Sequence, residues 1–129
     1  MRGLLALALC ATPALADVPL TAEAFEAHVT GHTLTYQQYG QLYGIEEYLP
    51  DRKVRWSVAP NTCQYGSWYP EDEYICFVYE YDPNPSCWTF RLSAGRLVAL
   101  SIADAPGAEL HETERSQTSL PCPGPEVGA

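Results

Sequence analysis

The spacing of apolar side chains changes once along this chain, from that of a helix to that of a strand. Residues 21–30 (TAEAFEAHVT) begin with Thr21, a good N-cap, and Gly31 behind them suits a helix C-terminus. Leu20 and Phe25 hold the two positions of a hydrophobic staple. After Gly31 apolar and polar residues alternate with period two, as in half-buried strands. The pattern therefore predicts one helix over residues 21–30, followed by strands.

Turn-forming segments divide the remaining chain into hairpins, whose registers we predict by keeping apolar residues on one face. The first turn is Tyr39-Gly40, and others follow at residues 50–53 (PDRK), 70–73 (PEDE), 82–85 (DPNP) and 93–95 (SAG). The second register places Glu47 opposite Trp56. The last turn is predicted to have three residues, because a two-residue loop would move Val98 to the other face.

These registers collect a single apolar face. It consists of Trp68, Ile75, Phe77, Tyr79, Trp88, Phe90, Leu92, Val98, Leu100 and Ile102. Such a face must close into a barrel or pack on another element, and the helix is the obvious lid. The predicted fold class is mainly β: an antiparallel meander sheet or small barrel with one N-terminal helix. Residues 109–117 (ELHETERSQ) are either a last edge strand or a short helix.

The first 16 residues have the features of a secretory signal peptide. Arg2 precedes a short apolar run, and Ala14-Leu15-Ala16 is an A-x-A cleavage site. The run is shorter than the about 20 residues that span a bilayer, and no membrane insertion is predicted elsewhere. Acylation at Cys10 is the alternative, which the bulky Leu9 disfavours. We predict a periplasmic or secreted protein with one β-rich domain over residues 17–118 and a flexible tail over 119–129.

The excess of acidic residues limits the kinds of partner that this protein can bind. The sequence has 7 Lys and Arg against 16 Asp and Glu, a formal net charge of −9. Phosphate backbones and anionic membranes require a basic face, so nucleic acid is not a predicted partner.

Four cysteines follow the signal segment, an even number that predicts two disulfides in an exported chain. They are Cys63, Cys76, Cys87 and Cys122. The hairpin register places Cys76 and Cys87 too far apart along the ladder to join, which favours Cys63–Cys87 and leaves Cys76 for Cys122. No zinc-type spacing of Cys and His is present, and neither a metal nor another cofactor is predicted.

Few residues suggest catalysis. His28 and His32 have the spacing of helix-borne metal ligands, but Gly31 between them favours two polar residues at a helix end. His111 lies in an acidic segment and is predicted to be solvated. Glu47 is the more interesting acid, since its register points it at the apolar face. It is then capped by a basic residue or has a raised pKa in a cavity; an edge position that reaches solvent is the favoured alternative.

The aromatic residues are the other candidates for binding. The sequence has nine Tyr, three Trp and three Phe, most of them on the predicted core face. Trp56 is predicted beside Glu47. Tyr48, Tyr65, Tyr69 and Tyr74 are predicted on the opposite face, where tyrosines can dock peptides or stack on sugars. The candidate ligand-binding residues are therefore Glu47, Trp56, Tyr48 and Tyr65.

Four elements resemble a family of small exported bacterial proteins of unknown function. They are Gly66-x-Trp68, then Ile75-Cys76-Phe77, Cys87-Trp88 and the turn at Gly95, and residues 43–56 are similar to the strand pair upstream. The resemblance covers most of residues 21–100 and implies a compact β-rich periplasmic domain. It implies no activity, cofactor or catalytic residue.

The sequence thus favours a non-catalytic module that binds a small ligand or an unknown protein. An inhibitor or accessory factor of an exported enzyme is a second interpretation. A carboxylate-dependent hydrolase built on Glu47 is a third, and an enzyme is the less favoured class.

Overall fold

The computed structural model describes residues 3, 6–9, 18–59 and 62–122. The predicted cleavage site at Ala14–Ala16 and the last seven residues of the predicted tail lie outside these ranges. Within the described residues, no helix is long and apolar enough to cross a lipid bilayer.

The predicted helix is confirmed as α1, Ala22–Val29. The Thr21 hydroxyl accepts a hydrogen bond from the Ala24 amide (3.2 Å), which caps the first turn. Gly31 has a φ of 84°, the left-handed conformation that glycine adopts without steric cost. Leu20 packs against the core beside the buried Phe25, as the staple predicts.

Eight antiparallel strands form one closed barrel in which each strand pairs with its sequence neighbour. They are β1 Thr33–Gln38, β2 Gln41–Leu49, β3 Lys53–Ser57, β4 Gln64–Glu71, β5 Tyr74–Tyr79, β6 Asp82–Ser93, β7 Arg96–Ser101 and β8 Leu110–Ser116. Strand β8 pairs with both β7 and β1, so residues 109–117 contain the closing strand and not an edge or a helix. The barrel form of the prediction is therefore correct.

The barrel has two different ends because it is an up-and-down meander. Helix α1 lies across one end, the helix end, where the side chain of Phe25 is fully buried. The turns β1–β2, β3–β4, β5–β6 and β7–β8 all lie at the opposite end, the open end.

Four predicted registers are wrong, and each error arises from the length or position of a turn. The β2–β3 connection is Pro50–Arg52, three residues with left-handed Asp51 and Arg52, so Glu46 and not Glu47 lies opposite Trp56. The β6–β7 turn has two residues, Ala94 (φ 51°) and Gly95 (φ 77°). These dihedrals suit a tight hairpin turn.

The β5–β6 hairpin also turns earlier than DPNP. Tyr79 pairs with Asp82, a register shift follows, and Cys76 then lies directly opposite Cys87. The start of β6 extends past the end of β7, where Ser101 pairs with Trp88. Pro83 and Pro85 are therefore accommodated in a stretch that pairs on one side only.

The shifted registers change the predicted apolar face. Leu97 and Ala99 take the interior positions predicted for Val98 and Leu100, and Ile102 is 62% exposed. The β4–β5 turn is shorter than the predicted PEDE, because Glu71 pairs with Tyr74. Trp68 therefore pairs with Phe77, a shift of two residues that keeps the predicted face correct.

Both disulfides are present, but their predicted pairing is wrong. The bonds are Cys76–Cys87 and Cys63–Cys122. The first joins cross-strand neighbours that the mistaken hairpin register had separated. The second ties residues 118–122, the C-terminal strap, to the outside of the barrel. The strap is also held by the Leu120 amide, which donates to Glu47 Oε1 (2.9 Å).

Candidate functional site

A cavity of about 140 Å³ occupies the barrel interior toward the open end. Its walls are mostly aromatic, with a few polar groups between the rings. The lining consists of Tyr36, Tyr43, Glu46, Tyr48, Trp56, Gln64, Phe77, Tyr79, Ser86, Trp88, Phe90, Ala99 and Leu110.

The mouth of the cavity is framed by Tyr43 and two tryptophans. A register shift between β1 and β2 pairs Tyr36 with Gly44 and Gln37 with Leu42, leaving Tyr43 as the extra residue of a bulge. Bulges of this kind redirect a side chain. The Tyr43 ring lies 5.8 Å from Trp56 and 6.2 Å from Trp88, between ring centroids, and Tyr43 remains 37% exposed.

Gly44 allows Trp56 to lie flat against the wall. A Cβ atom at Gly44 would come within 2.2 Å of the Trp56 ring. No side chain larger than hydrogen fits there without displacing the indole. Gly66 serves Tyr79 in the same way, since a Cβ there would lie 2.8 Å from the Tyr79 ring and 2.3 Å from the Val78 carbonyl oxygen. The Tyr79 ring therefore covers the bare backbone of Gly66.

Glu46 is the carboxyl group of the cavity. It is 2% exposed, and its Oε1 accepts a hydrogen bond from the Tyr79 hydroxyl (2.8 Å). Its Oε2 has no hydrogen-bond partner among the described residues. Burial in this low-dielectric interior raises the pKa of Glu46 well above its usual value, and the bond from Tyr79 opposes that rise only in part.

The neighbouring tyrosines are also shifted by burial. The hydroxyl groups of Tyr36 and Tyr48 lie 2.8 Å apart and hydrogen-bond to each other inside the barrel. Desolvation is the main cause that raises the pKa of Tyr36, Tyr48 and Tyr79, and the nearby Glu46 carboxylate adds to it in each case. All three therefore stay protonated and act as neutral hydrogen-bonding groups.

The predicted ligand-binding residues divide between the cavity and the outer wall. Trp56 and Tyr48 line the cavity, although Tyr48 was predicted on the opposite face. Glu47 and Tyr65 lie outside, on either side of Arg55. The Arg55 guanidinium lies 3.8 Å from Glu47 Oε1 and 5.6 Å from the centroid of the Tyr65 ring. The favoured prediction, an edge position that reaches solvent, is wrong, because Glu47 is 5% exposed and β2 pairs on both sides. Glu47 is instead capped by an arginine, under the strap and not inside the barrel.

A second polar cluster lies at the helix end, where His28, Glu112 and Arg115 meet. His28 Nε2 is 3.1 Å from Glu112 Oε1, and Arg115 Nη1 is 3.3 Å from that same oxygen. The Leu97 amide donates to the other carboxylate oxygen (3.3 Å), and the Arg115 guanidinium also donates to the His28 carbonyl. Because these groups satisfy one another, the cluster joins α1 to β8 and is structural. His111 is exposed, as predicted.

One group of potential metal ligands lies outside the cavity. Glu71, Cys76 and Cys87 bring a carboxylate oxygen and two sulfur atoms within 4.8 Å of one another. Both sulfurs are joined in the Cys76–Cys87 disulfide, so they offer no thiolate to a metal ion.

Sequence reasoning missed most of the cavity's polar groups. Glu46, Tyr36 and Tyr43 were not among its candidates. Glycine spacing was a usable signal: Gly44 leaves room for a large ring on the facing strand, which would have placed Trp56 near Gly44 and Glu46. Comparison of the chain with protein families, with curated proteins and with solved structures finds no match, so the cavity is the basis for the functional proposal.

Proposed function

We propose that this protein is an exported, non-catalytic binding module that holds one small ligand inside its barrel. The observation that carries the proposal is the aromatic cavity behind a half-open mouth, in a barrel whose other end is plugged by Phe25. An eight-stranded barrel is just wide enough to be filled by side chains or to hold one small ligand. The volume left between the side chains here favours the second use.

The size of the cavity limits the ligand. Its volume is about 140 Å³. An apolar protein cavity of about 150 Å³ accommodates benzene, so the ligand is a molecule of about one ring with a short substituent. Ligand sites typically combine apolar and aromatic walls with a few placed polar groups, and the Glu46, Tyr36 and Gln64 side chains fit that description.

The cavity is a poor hydrolytic site. Glycoside hydrolysis requires two carboxyl groups across the reacting bond, and Glu46 is the single carboxyl group among the lining residues that the structure describes. Ser86 is the hydroxyl candidate, but its Oγ accepts a hydrogen bond from Trp88 Nε1 (2.9 Å), and no histidine lines the cavity within the described chain. The non-catalytic interpretation therefore has the better support.

Export is supported by the two disulfides, which persist in oxidising compartments and are rare elsewhere. We propose the periplasm or the outside of the cell as the site of action. The signal peptide and the resemblance to small exported proteins stay predictions.

A cavity-filling substitution tests the proposal. Ring-sized neutral compounds such as benzyl alcohol and cyclohexanol would be titrated against the protein, with calorimetry and the fluorescence of Trp56 and Trp88 as readouts. Ala99→Leu places a larger side chain in the cavity lining and should abolish binding, whereas Ala103→Leu on the exposed open-end loop should not. Circular dichroism of both variants tests whether each one folds. Equal binding by Ala99→Leu, or no binding of any ring-sized compound to the wild type, would refute the proposal.

A protein partner at the open end is a second candidate function. Exposed apolar side chains occur in or beside all four turns of this end, among them Tyr39 (75%), Val58 (59%), Tyr81 (78%) and Ile102 (62%). Such a rim is typical of an interaction surface and would suit an inhibitor or accessory factor. Pull-down from periplasmic extract with the wild type and with Tyr81→Ser/Ile102→Ser tests it: a specific partner should be lost with the double variant.

A further inference from the structure

We infer that the ligand of the barrel is a small ring-bearing cation, an amine or amidine whose N–H groups bind Glu46 Oε2; this rests on the proposed function. The site is the Glu46 carboxyl together with the aromatic side chains that face it.

The first argument is the unpartnered oxygen. Glu46 is 2% exposed, and one of its two carboxyl oxygens has no hydrogen-bond partner in the described chain. Native proteins rarely leave a buried polar atom in this state, because its desolvation is not compensated. A group that lines a cavity and lacks a partner is placed to receive one from a ligand.

The second argument is the absence of a protein counter-charge. The titratable groups that line the cavity with Glu46 are Tyr36, Tyr43, Tyr48 and Tyr79, and none of the described lining residues is Lys, Arg or His. Arg55, which pairs with Glu47 on the neighbouring strand, lies on the outer wall with its guanidinium toward Glu47. An ionised Glu46 is therefore paired only when a cation enters the cavity.

The third argument is the aromatic lining. Faces of Trp and Tyr rings attract ammonium and guanidinium groups, more strongly where water is excluded. Trp56, Trp88 and Tyr43 stand at the mouth and Tyr79 beside the carboxyl group, so a cation meets aromatic side chains along its whole path. The net charge of −9 attracts cations to the molecule at low ionic strength.

A neutral ligand is the competing occupant. Burial favours the protonated form of Glu46, which can donate a hydrogen bond from Oε2 to a carbonyl or hydroxyl group. The two occupants differ in proton balance. A cation displaces the proton from Glu46 to solvent and keeps its own, so binding releases up to one proton; a neutral acceptor releases none.

The experiment uses three ligands of nearly one shape: benzylamine, benzyl alcohol and benzoate. Calorimetry at pH 7 in two buffers of different ionisation enthalpy gives both the affinity and the proton release. We expect benzylamine to bind about tenfold or more tightly than benzyl alcohol, with proton release, and benzoate not to bind. Glu46→Gln should weaken benzylamine by about tenfold or more and change benzyl alcohol by less than about threefold.

Glu47→Gln is the matched control, since it removes the adjacent carboxylate on the outer wall and should leave benzylamine binding unchanged. If benzyl alcohol binds as tightly as benzylamine, or if Glu46→Gln keeps the benzylamine affinity, the inference is wrong while the ligand-binding barrel stands. If no ring-sized compound of any charge binds, the proposed function fails and the inference fails with it.

Discussion

Two adjacent glutamates show how strongly one residue's position decides its chemistry. Glu46 points into the barrel, and Glu47 points out beneath the strap. Both are buried, yet Glu47 has Arg55 and the Leu120 amide as partners, whereas among the described residues Glu46 has only the Tyr79 hydroxyl. Alternation along β2 produces this difference, because successive side chains of a strand point to opposite faces.

The raised pKa of Glu46 predicts a pH dependence of stability. The folded state holds the proton of Glu46 more tightly than the unfolded chain does. Its contribution to the free energy of unfolding is therefore fully present below the ordinary pKa of 4.5 and is lost as the pH rises toward the raised pKa. Relative to Glu46→Gln, the wild type should therefore lose stability over this interval, by at most about 1.4 kcal/mol per pH unit.

Urea unfolding of both proteins between pH 4 and pH 8 measures this difference. Other titrating groups are common to the two proteins and cancel in the comparison. Parallel stability curves for the two proteins would contradict a raised pKa at Glu46.

The one-residue error at this pair marks the limit of pattern reasoning. Hydrophobic alternation cannot decide which of two neighbouring glutamates faces inward when the turn length is unknown. That length depends on Asp51 and Arg52 in left-handed conformations, and although Asp adopts this conformation more often than most residues, Arg does not signal it. The helix was predictable because its cap, staple and terminal glycine agree with one another.

At the scale of elements, α1 closes the barrel with two buried side chains, Phe25 and Val29. The Phe25 ring is buried and packs against Tyr48 (5.8 Å), Trp68 (5.1 Å) and Phe90 (4.5 Å), between ring centroids. Phe25→Ala should lower the free energy of unfolding by about 3–5 kcal/mol, since it removes a large buried ring.

Glu26→Ala is the matched control on the same helix. It removes a half-exposed ion pair with Arg52 (2.9 Å), which contributes about 0–1 kcal/mol. Chemical denaturation compares the two variants. Similar losses would show that α1 is not held by its buried face.

The strap is a second element whose attachment is testable. The Cys63–Cys122 disulfide joins residues 59 apart in sequence and fixes the strap over Glu47. Replacing both cysteines by serine should lower stability by up to about 4 kcal/mol in the chain-entropy model. Hydrogen exchange should then show lost protection at the Leu120 amide and retained protection in strands β1 and β2. Unchanged exchange at Leu120 would mean that the strap is held without the disulfide.

The strand pairings explain why the connectivity of the disulfides was beyond prediction. Cys76 and Cys87 become direct neighbours only because the hairpin turns at Glu80-Tyr81 and contains a register shift. Each is a local departure from regular alternation, and a regular ladder is what pattern reasoning assumes. The predictions of a mainly β fold and of the meander order remain correct despite these register errors, because they depend only on the number and order of the strands.

At the scale of the whole molecule, closure of the sheet separates the two ends. The helix end is filled by the buried side chain of Phe25 and by the cluster of His28, Glu112 and Arg115. The open end carries the mouth and the exposed apolar turns. Closure also leaves few of the unpaired strand edges that lead to aggregation, and the start of β6, which pairs on one side only, carries Pro83 and Pro85. The sequence left open sheet and barrel as alternatives, since only the pairing of β1 with β8 distinguishes them.

Because the helix end is filled, we expect a ligand of the barrel to enter through the mouth at the open end. The Tyr43 ring is 37% exposed and lies between Trp56 and Trp88, so we expect it to turn aside when a ring-sized molecule passes. Tyr43→Ala should therefore increase the association and dissociation rate constants of the neutral benzyl alcohol together, each about tenfold, with a change in Kd of less than about threefold. Stopped-flow tryptophan fluorescence measures both rates.

Tyr81→Ala, at an exposed turn of the same end, is the control and should leave both rate constants unchanged. Rates unaffected by Tyr43→Ala would place the entry route elsewhere in the wall.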